Sequence, residues 1–338
     1  MKHTILGKTG LKVSRVAFGA LPIQRISTDA AGRILRKAYE NGINFFDTAR
    51  AYSDSEEKMG KALSDVREKL VIATKTHAKD AKTLREHLET SLEKLKTSYI
   101  DIYQFHNPKD IHSETFMVMM EEAKKAKEEG LIRFISITNH TADIAKDAIK
   151  SGMYDTLQYP FSSISSEDDY EITLMCKEHN MGFIAMKALS GGLLTDAESA
   201  FAFLWQYDHV VPIWGIQREE ELDQFIALSK NPPEFDDKMK HRIENDRKEL
   251  AGSFCRSCGY CLPCPVGIDI PQAARMKFLL RRAPYQQYMS DEWIEKMNKI
   301  KECIECNKCK GRCPYHLDTP HLIKEMLKDY TDFVARHK

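Results

Sequence analysis

Short apolar segments rich in β-branched and aromatic residues alternate with amphipathic segments along roughly the first 230 residues. This alternation is typical of repeated strand–helix units that build a parallel sheet. Eight segments are predicted as strands, at 13–20, 43–47, 70–75, 100–106, 132–138, 156–159, 182–187 and 210–215. Seven amphipathic segments are predicted as helices, at 29–41, 82–96, 115–129, 142–150, 168–180, 197–206 and 219–230.

The number of repeats favours a closed barrel over an open sheet. Eight strand–helix units within about 250 residues predict an α/β fold of the (β/α)₈ TIM-barrel type. An open doubly wound sheet would need a glycine-rich phosphate loop after its first strand, and Leu21-Pro22-Ile23 stands there instead. We expect the barrel to fill residues 1–230, with a connector at 231–254 that begins at Pro232-Pro233 and a small separate domain at 255–338.

Charge and cysteine content distinguish that last segment from the barrel. Of the nine cysteines, eight lie in the last 84 residues and only Cys176 lies outside them. The same segment carries 15 Lys and Arg against 10 Asp and Glu, a net +5, whereas the whole chain has a net charge of zero and residues 1–254 therefore carry −5. This distribution is typical of a metal-binding appendage on a reduced, cytoplasmic protein rather than of a disulfide scaffold.

Two further features bear on partners and location. A net charge of zero argues against a dedicated nucleic-acid-binding protein. No apolar run approaches the ~18 residues of a membrane helix, so we expect no membrane partner. The opening residues Met1-Lys2-His3-Thr4 lead directly into a strand-like pattern without a signal peptide's apolar stretch, in keeping with a cytoplasmic location.

The cysteine spacing predicts iron–sulfur clusters. The two runs are Cys255-x₂-Cys258-x₂-Cys261-x₂-Cys264-Pro265 and Cys303-x₂-Cys306-x₂-Cys309-x₃-Cys313-Pro314. The second run has the spacing of bacterial ferredoxins, in which the fourth cysteine binds the other cluster. The hypothesis is therefore two [4Fe–4S] clusters, one held by Cys255, Cys258, Cys261 and Cys313 and the other by Cys303, Cys306, Cys309 and Cys264. Two structural zinc sites, each with four thiolates, are the alternative.

The rest of the tail supports a mainly α-helical, ferredoxin-like domain, because the segments at 273–282 and 290–301 look helical. Two oxidised clusters would bring a charge of roughly −4, which the net +5 of the tail would largely offset.

Four chemically complementary residues follow or end predicted strands, where catalytic groups of this fold project. Asp47 and Tyr52 follow the second strand, Lys75 ends the third and His106 ends the fourth. An ammonium near Tyr52 would lower its hydroxyl pKa from about 10, and Asp47 would hold the lysine charged. His106 would hydrogen-bond a substrate carbonyl oxygen.

These residues lie in motifs that resemble those of the aldo-keto reductases: Asn44-Phe45-Phe46-Asp47-Thr48-Ala49-Arg50-Ala51-Tyr52, Ile72-Ala73-Thr74-Lys75 and Asp101-Ile102-Tyr103-Gln104-Phe105-His106. The opening Leu6-Gly7-Lys8-Thr9-Gly10-Leu11-Lys12-Val13-Ser14 resembles the family's N-terminal hairpin, and the likeness extends over about residues 3–230. The resemblance implies that Asp47, Tyr52, Lys75 and His106 are catalytic. It also implies reversible hydride transfer between NAD(P)H and a small carbonyl substrate, an aldehyde or a ketone.

By the same resemblance, Asn139 and Gln158 would hold the nicotinamide amide, while Gly19, Lys187 and Gly215 belong to the expected cofactor-binding set. The adenosine end leaves the cofactor open. Arg218 would pair with the 2′-phosphate of NADP, whereas Glu221 would accept a hydrogen bond from the ribose of NAD, and both residues also suit a solvated first helical turn.

The two halves raise a question of electron counting, because a nicotinamide moves two electrons as hydride whereas clusters pass electrons singly. Either the clusters are structural, or FMN in the barrel converts between the two, or the substrate chemistry proceeds through radicals. The leading hypothesis is a carbonyl-reducing oxidoreductase with an attached electron-transfer domain, with a ferredoxin or flavodoxin as the candidate carrier. The alternatives are a flavin-dependent, ferredoxin-linked reductase and a redox-sensing, nicotinamide-binding protein.

Overall fold

The computed structural model describes residues 1–250, 254–282 and 285–337. These residues form two compact units. The first comprises Met1–Ala188 and Glu198–Asp236, and the second comprises Leu189–Ala197 and Asp237–Lys338. Within the described residues, none of the helices combines the length and the apolar character needed to cross a bilayer.

The first unit is a closed eight-stranded parallel barrel preceded by a two-stranded antiparallel hairpin, which confirms the predicted TIM-barrel fold class. The hairpin strands are β1 His3–Ile5 and β2 Lys12–Ser14. The barrel strands are β3 Ala17–Gly19, β4 Phe45–Asp47, β5 Val71–Thr76, β6 Ile100–His106, β7 Ile132–Thr138, β8 Thr156–Pro160, β9 Gly182–Met186 and β10 Val210–Gly215. Each strand pairs with the next along the chain, and β10 closes the ring on β3.

Eight helices accompany the strands: α1 Thr28–Glu40, α2 Ser55–Leu63, α3 Ala81–Leu95, α4 Glu114–Glu128, α5 Ala142–Ser151, α6 Glu167–Glu178, α7 Ala197–Trp205 and α8 Glu219–Lys230. Side-chain caps fix several helix starts. Ser27, Asp80, Ser113 and Ser166 each accept a hydrogen bond from a backbone N–H of the first turn. Seven of the eight helices were expected from periodicity. The exception is α2, in which Met59, Ala62 and Leu63 make only a short apolar pattern.

The predicted first strand at 13–20 is divided in the structure. Residues Lys12–Ser14 belong to the hairpin, and the barrel strand is limited to Ala17–Gly19. The segment resembles one strand because both of its parts are buried: Val13 of the hairpin joins the same core cluster as Ala17 of the barrel. The hairpin also contributes Leu6 and Leu11 to that cluster, so it fills the interior of the barrel from the end at which the strands begin.

The second unit is mainly helical. Its helices are α9 Asp237–Glu249, α10 Ile270–Ala273, α11 Met276–Arg282, α12 Asp291–Asn298, α13 Lys308–Arg312 and α14 Thr319–His337. The segment Leu189–Ala197, which follows β9 in the chain, is part of this unit. It is held there by the buried Arg275, whose Nη2 donates to the carbonyl oxygen of Gly191 at 2.7 Å, and by the ion pair between Arg242 and Asp196 at 2.9 Å.

The contact between Leu6 and Gly182 generates a stability prediction. A Cβ added at Gly182 would lie 2.7 Å from Cγ of Leu6, so Gly182→Ala should destabilise the barrel by about 1–3 kcal/mol. Leu6→Ala should cost about 2–5 kcal/mol by leaving a cavity, and the double variant should lose less than the sum of the two. Urea unfolding measures all three. Gly32→Ala is the control, because nothing lies within 4 Å of its added Cβ, and it should be neutral or slightly stabilising. Additive losses would contradict the contact.

Candidate active site and cysteine-lined cavities

The strand register brings the candidate residues of the barrel to one rim. Gly19 pairs with Asp47 across β3 and β4, and Lys75 pairs with Gln104 across β5 and β6. Thr138, which ends β7, pairs with both His106 and Gln158. Since all eight strands are parallel, these positions at their carboxyl ends surround the same mouth of the barrel.

A buried ion pair lies at the centre of this rim. Nζ of Lys75 is 2.6 Å from Oδ1 of Asp47, and it donates a second hydrogen bond to the carbonyl oxygen of Thr48 at 2.6 Å. The other oxygen of Asp47 accepts from Nε2 of Gln104 at 3.0 Å. The side chains of Lys75 and Asp47 are only 1% and 3% exposed, so the pair is enclosed by protein.

Burial opposes the charges of this pair. It raises the pKa of Asp47, and the charge of Lys75 acts in the opposite direction. Burial also lowers the pKa of Lys75, while the charge of Asp47 opposes that shift. The opposite charge of its partner therefore stabilises the ionised form of each residue, because a buried charge without a partner is costly.

Tyr52 and His106 lie beside the ion pair. Nζ of Lys75 is 5.2 Å from the centre of the Tyr52 ring, and the Tyr52 and His106 rings meet edge-to-face with centroids 6.1 Å apart. The expected lowering of the Tyr52 pKa is not what the structure gives, because burial and then the charge of Asp47 raise this pKa. The Tyr52 hydroxyl thus keeps its proton at neutral pH, as a proton donor must.

Burial holds His106 in its neutral form. Its pKa lies well below the usual 6.5, first through burial and then through His77, Lys75 and His140. A neutral imidazole can still donate one hydrogen bond from its protonated nitrogen, so the arrangement suits a group that orients a carbonyl oxygen.

Sequence reasoning missed Gln104 and His77. Gln104 holds Asp47, and the His77 ring lies against the His106 ring with centroids 3.8 Å apart. Both stand two residues from a residue already singled out, Gln104 before His106 and His77 after Lys75. Because side chains alternate between the two faces of a strand, a step of two from a known site residue is the signal that would have found them.

Among the predicted cofactor residues, Gln158 has a side-chain oxygen that could accept a hydrogen bond from a ligand. It is buried and hydrogen-bonds Asp47, and within the described part of the chain its Oε1 has no partner. A buried amide oxygen without a partner is costly, so a ligand's N–H group would fit there. Asn139 lies next to it, since its backbone N–H donates to the Gln158 carbonyl oxygen at 3.0 Å. Its side chain braces the loop by bonding Pro108 and Thr141.

The remaining predicted cofactor residues near the strand ends are Gly19, Lys187 and Gly215. Gly19 leaves no room for a side chain, because an added Cβ would come within 3.1 Å of the Trp214 carbonyl oxygen. Gly215 would similarly meet Cγ of Pro22 at 3.2 Å. Lys187 follows β9 with a left-handed backbone, φ +60°.

Arg218 and Glu221 form one unit at the start of α8. Nη2 of Arg218 is 2.8 Å from Oε1 of Glu221, while Oε2 of Glu221 accepts from the backbone N–H groups of Gln217 and Arg218 at 2.9 and 3.1 Å. The carboxylate therefore caps the helix. Phe225 of the same helix is buried and stacks on Trp214 with ring centroids 4.2 Å apart.

In the second unit, the eight tail cysteines line two cavities. One cavity is lined by Cys255, Cys258, Cys261 and Cys313. A second cavity is lined by Cys264, Cys303, Cys306 and Cys309, and Cys261 borders it as well. Among the described residues, none of these eight cysteines forms a disulfide, and neither does the buried Cys176 in α6. Each cavity thus has the fourth cysteine of one run beside the first three of the other.

The donor set fits iron–sulfur clusters better than single metal ions. The thiols surround cavities whose other walls include Ile268, Ile270 and Ile323, and apolar surroundings are usual for clusters. Burial, then the neighbouring Cys255 and Cys258, raises the pKa of Cys261 to about 12, so bound metal charge would be needed to hold these sulfurs as thiolates.

Comparison with known families gives two matches. The model of the aldo/keto reductase family matches residues 15–202, which is more than half of the chain. The model described as a 4Fe-4S dicluster domain matches residues 254–318.

Curated proteins match the barrel. The chain is 34% identical to L-galactose dehydrogenase of Arabidopsis thaliana over 215 residues, covering 56% of this chain and 66% of that protein. It is 31% identical to aldo-keto reductase YhdN of Bacillus subtilis over 217 residues, covering 58% of this chain and 64% of that protein. The chain thus spans about two thirds of the length of these relatives.

Solved structures show the same barrel. Aldo-keto reductase AKR11C1 from Bacillus halodurans, in its holo form, superimposes with a TM-score of 0.64 at 23% identity, covering 73% of this chain and 96% of its own. An aldo-keto reductase from Klebsiella pneumoniae in complex with NADPH gives 0.64 at 20% identity, covering 72% and 95%. At these identities the likeness shows the fold.

The two stacked histidines predict how stability depends on pH. The pKa of His106 lies well below 6.5, and burial, followed by Lys75 and His87, lowers that of His77 to about 4. As pH falls below about 6.5, both histidines bind protons in the unfolded chain but not in the folded barrel, so the free energy of unfolding should fall. The His77→Phe variant keeps a ring against His106, and its free energy of unfolding should fall less steeply between pH 6.5 and 5.

Urea unfolding at pH 7, 6 and 5 measures this dependence. His241→Phe is the matched control, because His241 is an exposed histidine of α9 and lies outside the stacked pair. It should leave the slope unchanged. A slope as steep in His77→Phe as in the original protein would contradict the prediction.

Proposed function

Because this chain belongs to the aldo/keto reductase family and carries a 4Fe-4S dicluster domain, we propose that it interconverts a small carbonyl compound and its alcohol with NADPH, and that in separate one-electron steps two clusters exchange electrons with a carrier. The hydride supplies both electrons of the carbonyl step. The observation that carries the proposal is the enclosed Lys75–Asp47 pair beside Tyr52 and His106. The helix cap does not choose between NADPH and NADH, since Glu221 and Arg218 are bonded to each other and both charged side chains are occupied. The NADPH of the Klebsiella pneumoniae relative favours the phosphorylated cofactor.

In this proposal the protein's own residues handle the substrate oxygen. NADPH, when bound, supplies a hydride to the carbonyl carbon, and Tyr52 donates a proton to the oxygen, so that alcohol is formed. The raised pKa of Tyr52 keeps that proton in place until negative charge develops on the oxygen. His106, neutral and beside Tyr52, donates a hydrogen bond to the same oxygen and fixes its direction.

Lys75 and Asp47 would stabilise Tyr52 once it has lost its proton. When Tyr52 gives up its proton, the phenolate needs a nearby positive charge, and the Lys75 ammonium lies 5.2 Å from the ring centre. Asp47 keeps that ammonium charged in spite of burial. Gln158 would hold the nicotinamide amide, because its Oε1, which has no partner among the residues described, is an acceptor suited to an amide N–H, and Asn139 lies next to it.

The central test is Tyr52→Phe, which removes only the hydroxyl. We expect the rate of carbonyl reduction to fall by about 10²–10⁴-fold, because a general acid is lost, with NADPH binding kept. Single-turnover NADPH oxidation against a panel of aldehydes, ketones and quinones measures the rate, and cofactor fluorescence measures binding.

Tyr103→Phe is the matched control, because Tyr103 is also buried on a barrel strand but its hydroxyl faces the carbonyl oxygen of Leu84 in α3. It should retain the original rate. An undiminished rate in Tyr52→Phe with every carbonyl in the panel would overturn the enzymatic proposal.

For the clusters, we propose the crossed ligand set. The pairing of Cys313 with the first run and of Cys264 with the second is supported by the lining of the two cavities. Within each run, neighbouring sulfurs raise the pKa of the third cysteine: Cys255 and Cys258 raise that of Cys261, and Cys303 and Cys306 raise that of Cys309. Cys261 is also within range of Cys309, so the two clusters would be adjacent.

Anaerobic purification tests this assignment. Two clusters predict about eight iron and eight sulfide per chain with a broad absorbance near ~400 nm, whereas bound FMN adds bands near ~375 and ~450 nm. In Cys313→Ser, the electron paramagnetic resonance spectrum of the reduced protein should match that of Cys258→Ser, and Cys264→Ser should match Cys306→Ser. Cys176→Ser is the control and should keep all the iron, because Cys176 lies in α6 of the barrel. Two zinc ions per chain in place of iron, or the opposite match of spectra, would overturn it.

A further inference from the structure

Two exposed apolar side chains stand beside the cysteines of the second unit. Leu262 directly follows Cys261 and is 41% exposed, and Ile304 directly follows Cys303 and is 63% exposed. Ile304 also lines the cavity of Cys264, Cys303, Cys306 and Cys309, as does Pro263, the neighbour of Leu262. A single exposed apolar residue needs no explanation, but one that lines this cavity and one that adjoins a lining residue mark a surface suited to contact.

The same edge brings a thiol to the surface. Cys306 is exposed, whereas Cys261 and Cys309, which line the same cavity, are buried. In the proposed ligand set, Cys306 binds the second cluster, so this edge is where that cluster comes nearest to solvent. It is therefore the shortest route for an electron entering or leaving the second unit.

Positive charge surrounds this edge. Lys308 lines the cavity, and Nη1 of Arg312 donates to the carbonyl oxygens of Leu262 and Pro263, at 3.3 Å each. Residues 299–312 contain five Lys or Arg and two Asp or Glu, a net +3. Both acidic residues are paired with lysines, Glu302 with Lys299 and Glu305 with Lys324.

The positive charges at the edge remain available for a partner. Lys308 and Arg312 have no acidic partner among the residues that the structure describes. The nearby Lys310 differs, since it pairs with Asp318 at 2.8 Å.

We propose that Leu262, Ile304, Cys306, Lys308 and Arg312 form a docking face for a small acidic protein that carries one electron. The inference rests on the proposed second cluster and adds its partner. Apolar residues at the centre exclude water over the cluster edge, and the cations at the rim attract an acidic surface and speed encounter. A small interface of this kind suits a brief contact. In each contact the carrier is oxidised by one electron and the cluster is reduced by one, or the reverse, and no atom is transferred.

The test uses the anaerobically purified full chain and a reduced, acidic plant-type [2Fe–2S] ferredoxin as the probe. Stopped-flow absorbance near ~400 nm follows cluster reduction. Lys308→Glu and Arg312→Glu should each lower the second-order rate constant about tenfold or more at low salt. In the original protein the rate constant should fall steeply as salt is raised, because charge attraction is screened. Ile304→Ala should lower it without changing the salt dependence.

Lys328→Glu is the matched control, because it makes the same charge change on an exposed lysine of α14. It should stay within about twofold of the original rate constant. Chemically reduced methyl viologen, a small cation that needs no docking face, should reduce the clusters of every variant at least as fast as those of the original protein. That result shows that the variants hold intact clusters.

Equal ferredoxin rates in the original protein and in both charge-reversed variants would overturn the docking face while leaving the proposed clusters in place. Binding to vesicles rich in phosphatidylserine that both variants lose, with unchanged ferredoxin rates, would assign the face to a lipid surface and also overturn it. Failure of the clusters themselves is seen separately, as absence of iron and of absorbance near ~400 nm in the original protein, and would overturn both proposals.

Discussion

The ion pair between Lys75 and Asp47 is the interaction on which the barrel mouth depends. Neither charge is tolerable alone in so enclosed a place, and their 2.6 Å contact is stabilising only because Thr48, Gln104 and Gln158 satisfy the remaining hydrogen-bonding capacity. The pair in turn sets the electrostatics of Tyr52 and His106. A closed ring of parallel strands makes this possible, because it delivers a lysine from one strand and a carboxylate from its neighbour in fixed register.

In the second unit, by contrast, the buried groups that lie together would carry charges of the same sign. Its cavities place several thiols side by side, and burial and the neighbouring sulfurs raise the pKa of Cys261 and Cys309. Metal charge between the sulfurs would make this arrangement favourable. The excess of basic residues in the tail would offset the negative charge that remains on the proposed clusters.

The sequence was informative where one physical rule acts alone. Strand–helix alternation predicted the barrel, and cysteine spacing predicted the dicluster domain, since both depend on local pattern. Helix α2 was not predicted, because its buried face includes polar residues such as Glu56, which accepts a hydrogen bond from Thr74, and its pattern is therefore not apolar. The division of segment 13–20 was not predicted either, because the hairpin and the barrel contribute to the same buried apolar cluster. Arg218 and Glu221 were ambiguous because whether two charges meet each other or a ligand depends on side-chain geometry.

The membership of Leu189–Ala197 in the second unit has a consequence for how this protein can be taken apart. A domain appended at the end of a chain can be removed at one linker, but this unit is assembled from two separate stretches. Truncation after Asp236 would strip the Gly191 carbonyl of Arg275 and Asp196 of Arg242, leaving a loop of the barrel's own chain without its packing. Reductase and iron–sulfur portions are thus interleaved in the polypeptide, and neither is a detachable module.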